Sequence, residues 1–196
     1  PASGPPLVSW PATSPYVVAV GGTSLFANPD GTYLGEAAWV GSGGGVSAFE
    51  YQPYWEQNVQ PASNSTTGGL GVARGVPDIA MDADPNTSPA EIYVGGTLNY
   101  VGGTSLSSPL SMGVYARLQS AHGNALGFAA PQLYSIYVNN PSPTQLNSGP
   151  PPTQLRGGYH DVLSGANGTY TALPGYDYTT GLGAFDISLV NAAIGH

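Results

Sequence analysis

The sequence predicts a single α/β domain containing a buried parallel sheet, on three observations. Tyr16-Val-Val-Ala-Val20 is a short, fully apolar run followed by Gly21-Gly22, the pattern of a strand covered on both faces. Leu106–Ala121 carries Leu110, Val114 and Leu118 at helical spacing, with Tyr115 beside them. Of 196 residues, 41% are hydrophobic, and 13 Tyr, 4 Phe and 3 Trp are among them. That is enough for one sizeable core, even with 29 glycines and 19 prolines.

Residues 1–15 are rich in Pro and Ser and enter the fold as a loop; the strand Tyr16–Val20 follows and stops at Gly21-Gly22. Asn28-Pro-Asp-Gly31 is a turn and Glu36–Val40 the returning strand. Gly41-Ser-Gly-Gly-Gly45 reads as a tight backbone passage, and residues 57–75 as a polar loop. Ile92–Val94 and Leu98–Val101 flank Gly95-Gly96-Thr97 as a hairpin. The helix Leu106–Ala121 is expected to hold Pro109 in its first turn, where a missing N–H costs nothing, and to stop at Gly123. A short helix follows Pro131, residues 139–158 form a loop, and residues 186–195 close the chain as a helix. No domain boundary interrupts residues 1–196.

Charge excludes several functions. Three arginines, no lysine and a net charge of −8 cannot hold a phosphate backbone, so no nucleic-acid partner is expected. No apolar run reaches the roughly 18 residues of a membrane span. The absence of cysteine rules out disulfides and thiolate metal sites. Only 7% of residues are charged, against about 25% in an ordinary globular protein. In strong acid only the three Arg, the three His and the α-amino group would carry charge. This limits the self-repulsion that unfolds proteins in acid and points to work in acid outside a cell or in an acidic compartment. Asn64-Ser-Thr66, Asn86-Thr-Ser88 and Asn167-Gly-Thr169 are glycosylation sequons, weak support for secretion.

Gly102-Gly-Thr-Ser105-Leu-Ser-Ser-Pro109 is the most informative stretch. A strand ends, two glycines turn the backbone, and Ser105 opens a helix. There a hydroxyl sits on a fixed corner beside the positive helix end, which suits a nucleophile and the oxyanion its attack creates. A serine that merely caps the helix fits the same spacing. The histidines are poor bases for it: His122 falls at a helix end, His160 in a loop and His196 at the last position.

Taken together, four segments resemble the sedolisins, or serine-carboxyl peptidases, acid-acting relatives of subtilisin. They are Trp10-Pro-Ala-Thr-Ser-Pro-Tyr-Val-Val-Ala-Val-Gly-Gly-Thr23, Trp39-Val-Gly-Ser-Gly-Gly-Gly-Val-Ser47, Arg74-Gly-Val-Pro-Asp-Ile-Ala80 with Asp82-Ala-Asp-Pro85, and the Gly102–Pro109 motif. A fifth, Tyr159-His-Asp-Val162 with Pro174-Gly-Tyr-Asp177 and Thr180-Gly-Leu-Gly183, looks like the family's calcium site. The resemblance implies a subtilisin-like α/β fold, a mostly parallel sheet with helices on both faces. It also implies a serine endopeptidase acting on proteins or peptides with Ser105 as nucleophile. Ca²⁺ would be held by the carboxylates of Asp161 and Asp177 and the carbonyls of Val162, Leu173 and Gly175, an all-oxygen set that suits the ion. Leu173 stands where the family often has Gly.

The departures matter equally. The family activates its serine with a Glu supported by an Asp four residues later. Here Glu36, Glu50, Glu56 and Glu91 are followed at that distance by Val40, Tyr54, Gln60 and Gly95. The family's Gly-Asp-x-Gly stretch, whose Asp donates to the oxyanion, is also missing. The 196 residues therefore read as the C-terminal portion of one catalytic domain. The acids are expected on a separate N-terminal chain of the same precursor, cut before Pro1. Asp78, Asp82 and Asp84 are not substitutes; Asp78 is expected to bond backbone and pair with Arg74. Two other readings stand beside this one: a non-catalytic binding or structural protein derived from the same family, and a subtilisin whose His lies on a missing chain.

Overall fold

The computed structural model describes residues 8–61, 71–140, 145–147 and 149–194. Its elements begin with β1 (Val20–Ala27), β2 (Tyr33–Ala38), β3 (Gly45–Tyr51), β4 (Ala73–Val76) and β5 (Ile79–Asp82). A hairpin, β6 (Ala90–Val94) and β7 (Thr97–Val101), leads to α1 (Thr104–Ala121) and α2 (Ala129–Asn139). The chain ends with β8 (Gln145–Asn147), β9 (Thr153–Arg156), β10 (Tyr159–Val162), β11 (Ala184–Phe185) and α3 (Ile187–Ile194). Among the described residues no helix is long and apolar enough to cross a membrane.

The sheets are β2-β1-β5, β11-β10-β9-β8 and the ribbons β3-β4 and β6-β7. The expected mostly parallel sheet is thus not what the described residues form. One parallel ladder sets Val20–Thr23 beside Ile79–Asp82, and a parallel bridge joins Ala38 to Gly165; the other ladders are antiparallel. Connection length is the cause. The two-residue turns Gly95-Gly96 (φ 58° and 80°) and Gly157-Gly158 (φ 58° and 90°) fold each strand back along its neighbour, where a parallel pair needs a long crossover.

The apolar run begins earlier than its strand. Tyr16 is 83% exposed, and β1 starts at Val20 and runs through Gly21-Gly22. These glycines make room rather than stop the strand. A Cβ on Gly21 would lie 2.7 Å from the Thr179 carbonyl oxygen, and one on Gly22 2.6 Å from the Ala83 Cβ. The Asn28–Gly31 turn forms as expected, closed by Asn28 N donating to the Thr32 carbonyl at 2.9 Å. So does the glycine passage, where Ser42 Oγ accepts from Gly22 N at 2.9 Å and donates to the Thr179 carbonyl at 2.7 Å. Two expected loops contain strands: Ala73–Val76 lies in β4, and residues 145–147 and 153–156 form β8 and β9. Neither place has the run of β-branched and aromatic residues that marks a strand; β4 pairs with the more distant β3, and β9 with its neighbours β8 and β10.

Helix α1 starts at Thr104 with Gly103 as N-cap, so Pro109 is its sixth residue and not a first-turn proline. The Ser105 carbonyl therefore lacks the N–H that would normally bond it four residues on. The buried face is Ser107, Ser111 and Leu118, whereas Leu110 is 39% exposed. The reason is close approach to β5, where Ser107 Oγ meets the Met81 and Asp82 carbonyls at 3.0 Å each. Small polar side chains fit that contact and leucine does not. Helices α1, α2 and α3 then share one core cluster through Leu118, Leu133 and Val190, packed with Ile79, Tyr159 and Leu182.

Candidate active site and cation loop

Ser105 stands at the second position of α1, exposed. Its approach is fixed by two glycines. A Cβ on Gly102 would meet the Ala83 carbonyl oxygen and the Pro85 nitrogen, each at 2.6 Å. Gly103 turns at φ 96°, a region that favours glycine, and its N–H donates to the Ala83 carbonyl at 2.6 Å. The corner is thereby pinned to the end of β5. Gly103, not Ser105, is the cap, and no side chain caps this helix. The capping role that the spacing allowed for Ser105 is not the one it has. Among the described residues the Ser105 hydroxyl and N–H have no hydrogen-bond partner, so both are free to face a ligand at the positive helix end.

No base on the described chain reaches that hydroxyl. His122 follows α1 and lies 3.1 Å from Asn191 Oδ1. His160 lies in β10 rather than in a loop, stacked on Tyr33 with ring centroids 4.1 Å apart; His196 falls outside the described residues. Asp82 accepts from Ser88 Oγ, and Asp84 from Ser24 Oγ at 2.7 Å and Thr87 Oγ1 at 2.8 Å. Both carboxylates are occupied in holding the segment between β5 and β6. Glu36 is buried, accepting from Thr23 Oγ1 at 2.8 Å and Tyr33 Oη at 3.3 Å. Burial pushes its carboxyl up to about 7, against the pull of those bonds.

Asp78 behaves as expected and more. Its Oδ2 accepts from Ala19 N at 2.6 Å and from Arg74 at 2.8 Å, and its Oδ1 accepts from Tyr134 Oη at 2.9 Å. Arg74 is fully buried and also pairs with Glu56. Burial pushes the Glu56 carboxyl above the ordinary range while Arg74 draws it back. The cluster ties β4 and the link into β5 to residues 53–60 and α2. Nothing in the sequence marked Glu56 as its third member.

The five residues expected to hold calcium do come together. Asp161 Oδ2 accepts from Gly175 N at 2.8 Å and from Gln154 Nε2 at 2.7 Å. Asp177 Oδ2 accepts from Leu173 N at 3.2 Å, and its Oδ1 from the N–H groups of Thr179 at 2.7 Å and Thr180 at 2.8 Å. Val162 continues β10 from Asp161. Three oxygens remain unused: Asp161 Oδ1, buried without a partner, and the carbonyls of Leu173 and Gly175, which accept no hydrogen bond among the described residues. Burial, with the Asp177 charge adding to it, lifts the Asp161 carboxyl to about 6. An orphaned carboxylate oxygen beside free carbonyls fits a hard, oxygen-binding cation. Among the described residues no three acidic or imidazole side chains converge, so such an ion depends on the backbone carbonyls. The sequon at Asn64 lies outside the described residues, and Asn86 and Asn167 sit in turns.

No protein-family model matches the chain. It is 40% identical to sedolisin of Pseudomonas sp. (strain 101) over 95% of its own length and 30% of that protein. It is 40% identical to xanthomonalisin of Xanthomonas sp. (strain T-22), over 94% of itself and 22% of that protein. Kumamolisin of Bacillus sp. (strain MN-32) is 36% identical, over 90% of the chain and 30% of that protein. The solved structure of Pseudomonas sedolisin, a serine-carboxyl proteinase complexed with two molecules of pseudo-iodotyrostatin, superposes with a TM-score of 0.76. That match covers 94% of this chain and 48% of the other, at 40% identity. The chain thus spans under a third of these curated relatives and about half of the solved one.

Proposed function

Because this chain belongs to the sedolisin family, we propose that it is the nucleophile-bearing portion of a secreted, acid-acting serine endopeptidase that cleaves proteins or peptides. The observation that carries this reading is Ser105 itself: exposed at the second position of α1, pinned by Gly102 and Gly103, and not spent as a cap. Ser105 Oγ attacks the scissile carbonyl, and its own N–H with the helix end stabilises the oxyanion. The hydroxyl proton passes to a Glu carboxylate that an Asp supports. A protonated Asp gives a second hydrogen bond to the oxyanion. These acids lie outside the 196 residues, on an N-terminal chain of the same precursor. The Glu returns its proton to the leaving amine, and water then attacks the acyl-enzyme by the same route. A carboxylate base beside a carboxylic-acid donor is most readily populated at low pH, which agrees with a chain of 7% charged residues.

Calcium would be held by Asp161 and Asp177 and the carbonyls of Val162, Leu173 and Gly175, and supplies a structural tie between β10 and the 173–177 turn. Asp161 Oδ1 is the buried atom that needs such a partner. Ser105→Ala in the complete enzyme should abolish cleavage of a protein substrate at acid pH while leaving the fold intact; undiminished turnover would end the assignment. The lack of a base beside Ser105 among the described residues also favours a second reading, a non-catalytic binding or structural protein. That reading expects a stable chain that purifies without any partner carrying Glu-x-x-x-Asp.

A further inference from the structure

Two residues outside the cation loop converge on it. A Cβ placed on Gly175 would lie 3.4 Å from the Arg156 guanidinium and 3.5 Å from the Tyr137 hydroxyl, so both side-chain ends lie beside Gly175, a residue of the cation loop. Tyr137 comes from α2 and Arg156 from β9. The Tyr137 ring is 2% exposed, and its hydroxyl is buried without a hydrogen-bond partner, as is Asp161 Oδ1. Arg156 lies over the Tyr137 ring, 4.4 Å from its centroid. Its Nε is likewise buried and unpaired, and its guanidinium makes no salt bridge or hydrogen bond among the described residues.

Each fact is odd alone. A buried hydroxyl with nothing to bond is costly, and an arginine close enough to feel the charge of the buried Asp161 ordinarily salt-bridges it. Together they describe a shell built around something else. A hydroxyl poised beside free oxygens can hold a water bound to a cation, because such an ion takes six or more oxygen ligands, waters included. A guanidinium held by its ring contact, short of the carboxylates, leaves Asp161 Oδ1 open.

We propose that Tyr137 and Arg156 set the strength of the cation site from outside the loop, Tyr137 by hydrogen-bonding an ion-bound water and Arg156 by opposing the ion with its positive charge. The proposal rests on the calcium reading of Asp161 and Asp177. Outer-shell partners of bound metals typically govern affinity by about 10–100-fold, so Tyr137→Phe, which keeps the ring under Arg156, is expected to weaken Ca²⁺ binding about tenfold. Arg156→Gln is expected to tighten it several-fold, and Arg156→Lys to keep the wild-type affinity.

The test is calorimetric titration of Ca²⁺ into the complete, chelator-stripped enzyme and the three variants, with thermal melts in chelator to show that each is folded. Weakening in Tyr137→Phe with tightening in Arg156→Gln supports the proposal. Wild-type affinity in both folded variants overturns it and leaves the calcium reading standing. An enzyme whose wild-type form binds no Ca²⁺ overturns both. If Tyr137→Phe melts early, Arg156→Gln against Arg156→Lys decides the charge effect alone, and equal affinities in that pair overturn it.

Discussion

At the scale of single residues, the site divides into what a motif can announce and what only packing can place. Ser105 was legible because two glycines and a helix signal surround it. Its exact position was not, since the spacing also allowed a capping role that Gly103 fills. Asp161 and Asp177 were legible only through resemblance. Tyr137 and Arg156, 24 and 5 residues before Asp161 in the numbering, carry no local signal at all and meet only through the third dimension. Arg74 shows the same limit: its pairing with Asp78, four residues on, could be anticipated, but Glu56 could not. Arg74→Ala strands the buried Asp78 carboxylate, and breaking such a pair costs about 3–5 kcal/mol. Urea unfolding of the complete enzyme should show that loss as a lower midpoint.

At the scale of elements, α1 carries the greatest consequence. Its periodicity predicts a helix of nearly the right span and part of its buried face: Leu118 is in the core and Val114 and Tyr115 pack against it. Leu110 is exposed, because apolar spacing cannot register a backbone passing close enough to exclude leucine. Ser107 makes that contact, bonding the last carbonyls of β5. Ser107→Ala is expected to cost about 1–2 kcal/mol, read as a lower melting temperature. Gly102→Ala should do more harm to turnover than to melting, because the new methyl meets the backbone of Ala83 and Pro85 and shifts the corner that bears Ser105. A fall in kcat with little change in Tm checks this. The hairpins read differently. Gly95-Gly96 announces β6 and β7, but Gly157-Gly158, equally a turn, is silent because Thr153–Arg156 has a single β-branched residue, Thr153, and no aromatic to mark a strand.

At the scale of the whole molecule, low charge and the burial of Glu36 both favour the folded state in acid. Glu36 is 4% exposed, and its carboxyl stands at about 7 in the fold against an ordinary 4.5. A carboxyl raised by folding favours the folded state when protonated. Its contribution is complete below about pH 4.5 and drains away as pH rises towards 7. At about 1.4 kcal/mol per unit, the Glu36 share is roughly 3 kcal/mol. Thermal melts of the complete enzyme from pH 4 to 8 should fall across that window, and Glu36→Gln, neutral throughout, should flatten the fall. A cleft lined by Val18, Val20, Met112, Tyr115, Leu133 and Phe185 adds a different consequence. The net charge of −8 falls through zero near pH 4.3 as the carboxylates protonate, before turning positive in stronger acid, so this apolar surface has least electrostatic insulation near that pH. Self-association of the chain is therefore expected to peak near pH 4.3, just where the Glu36 contribution to folding is complete.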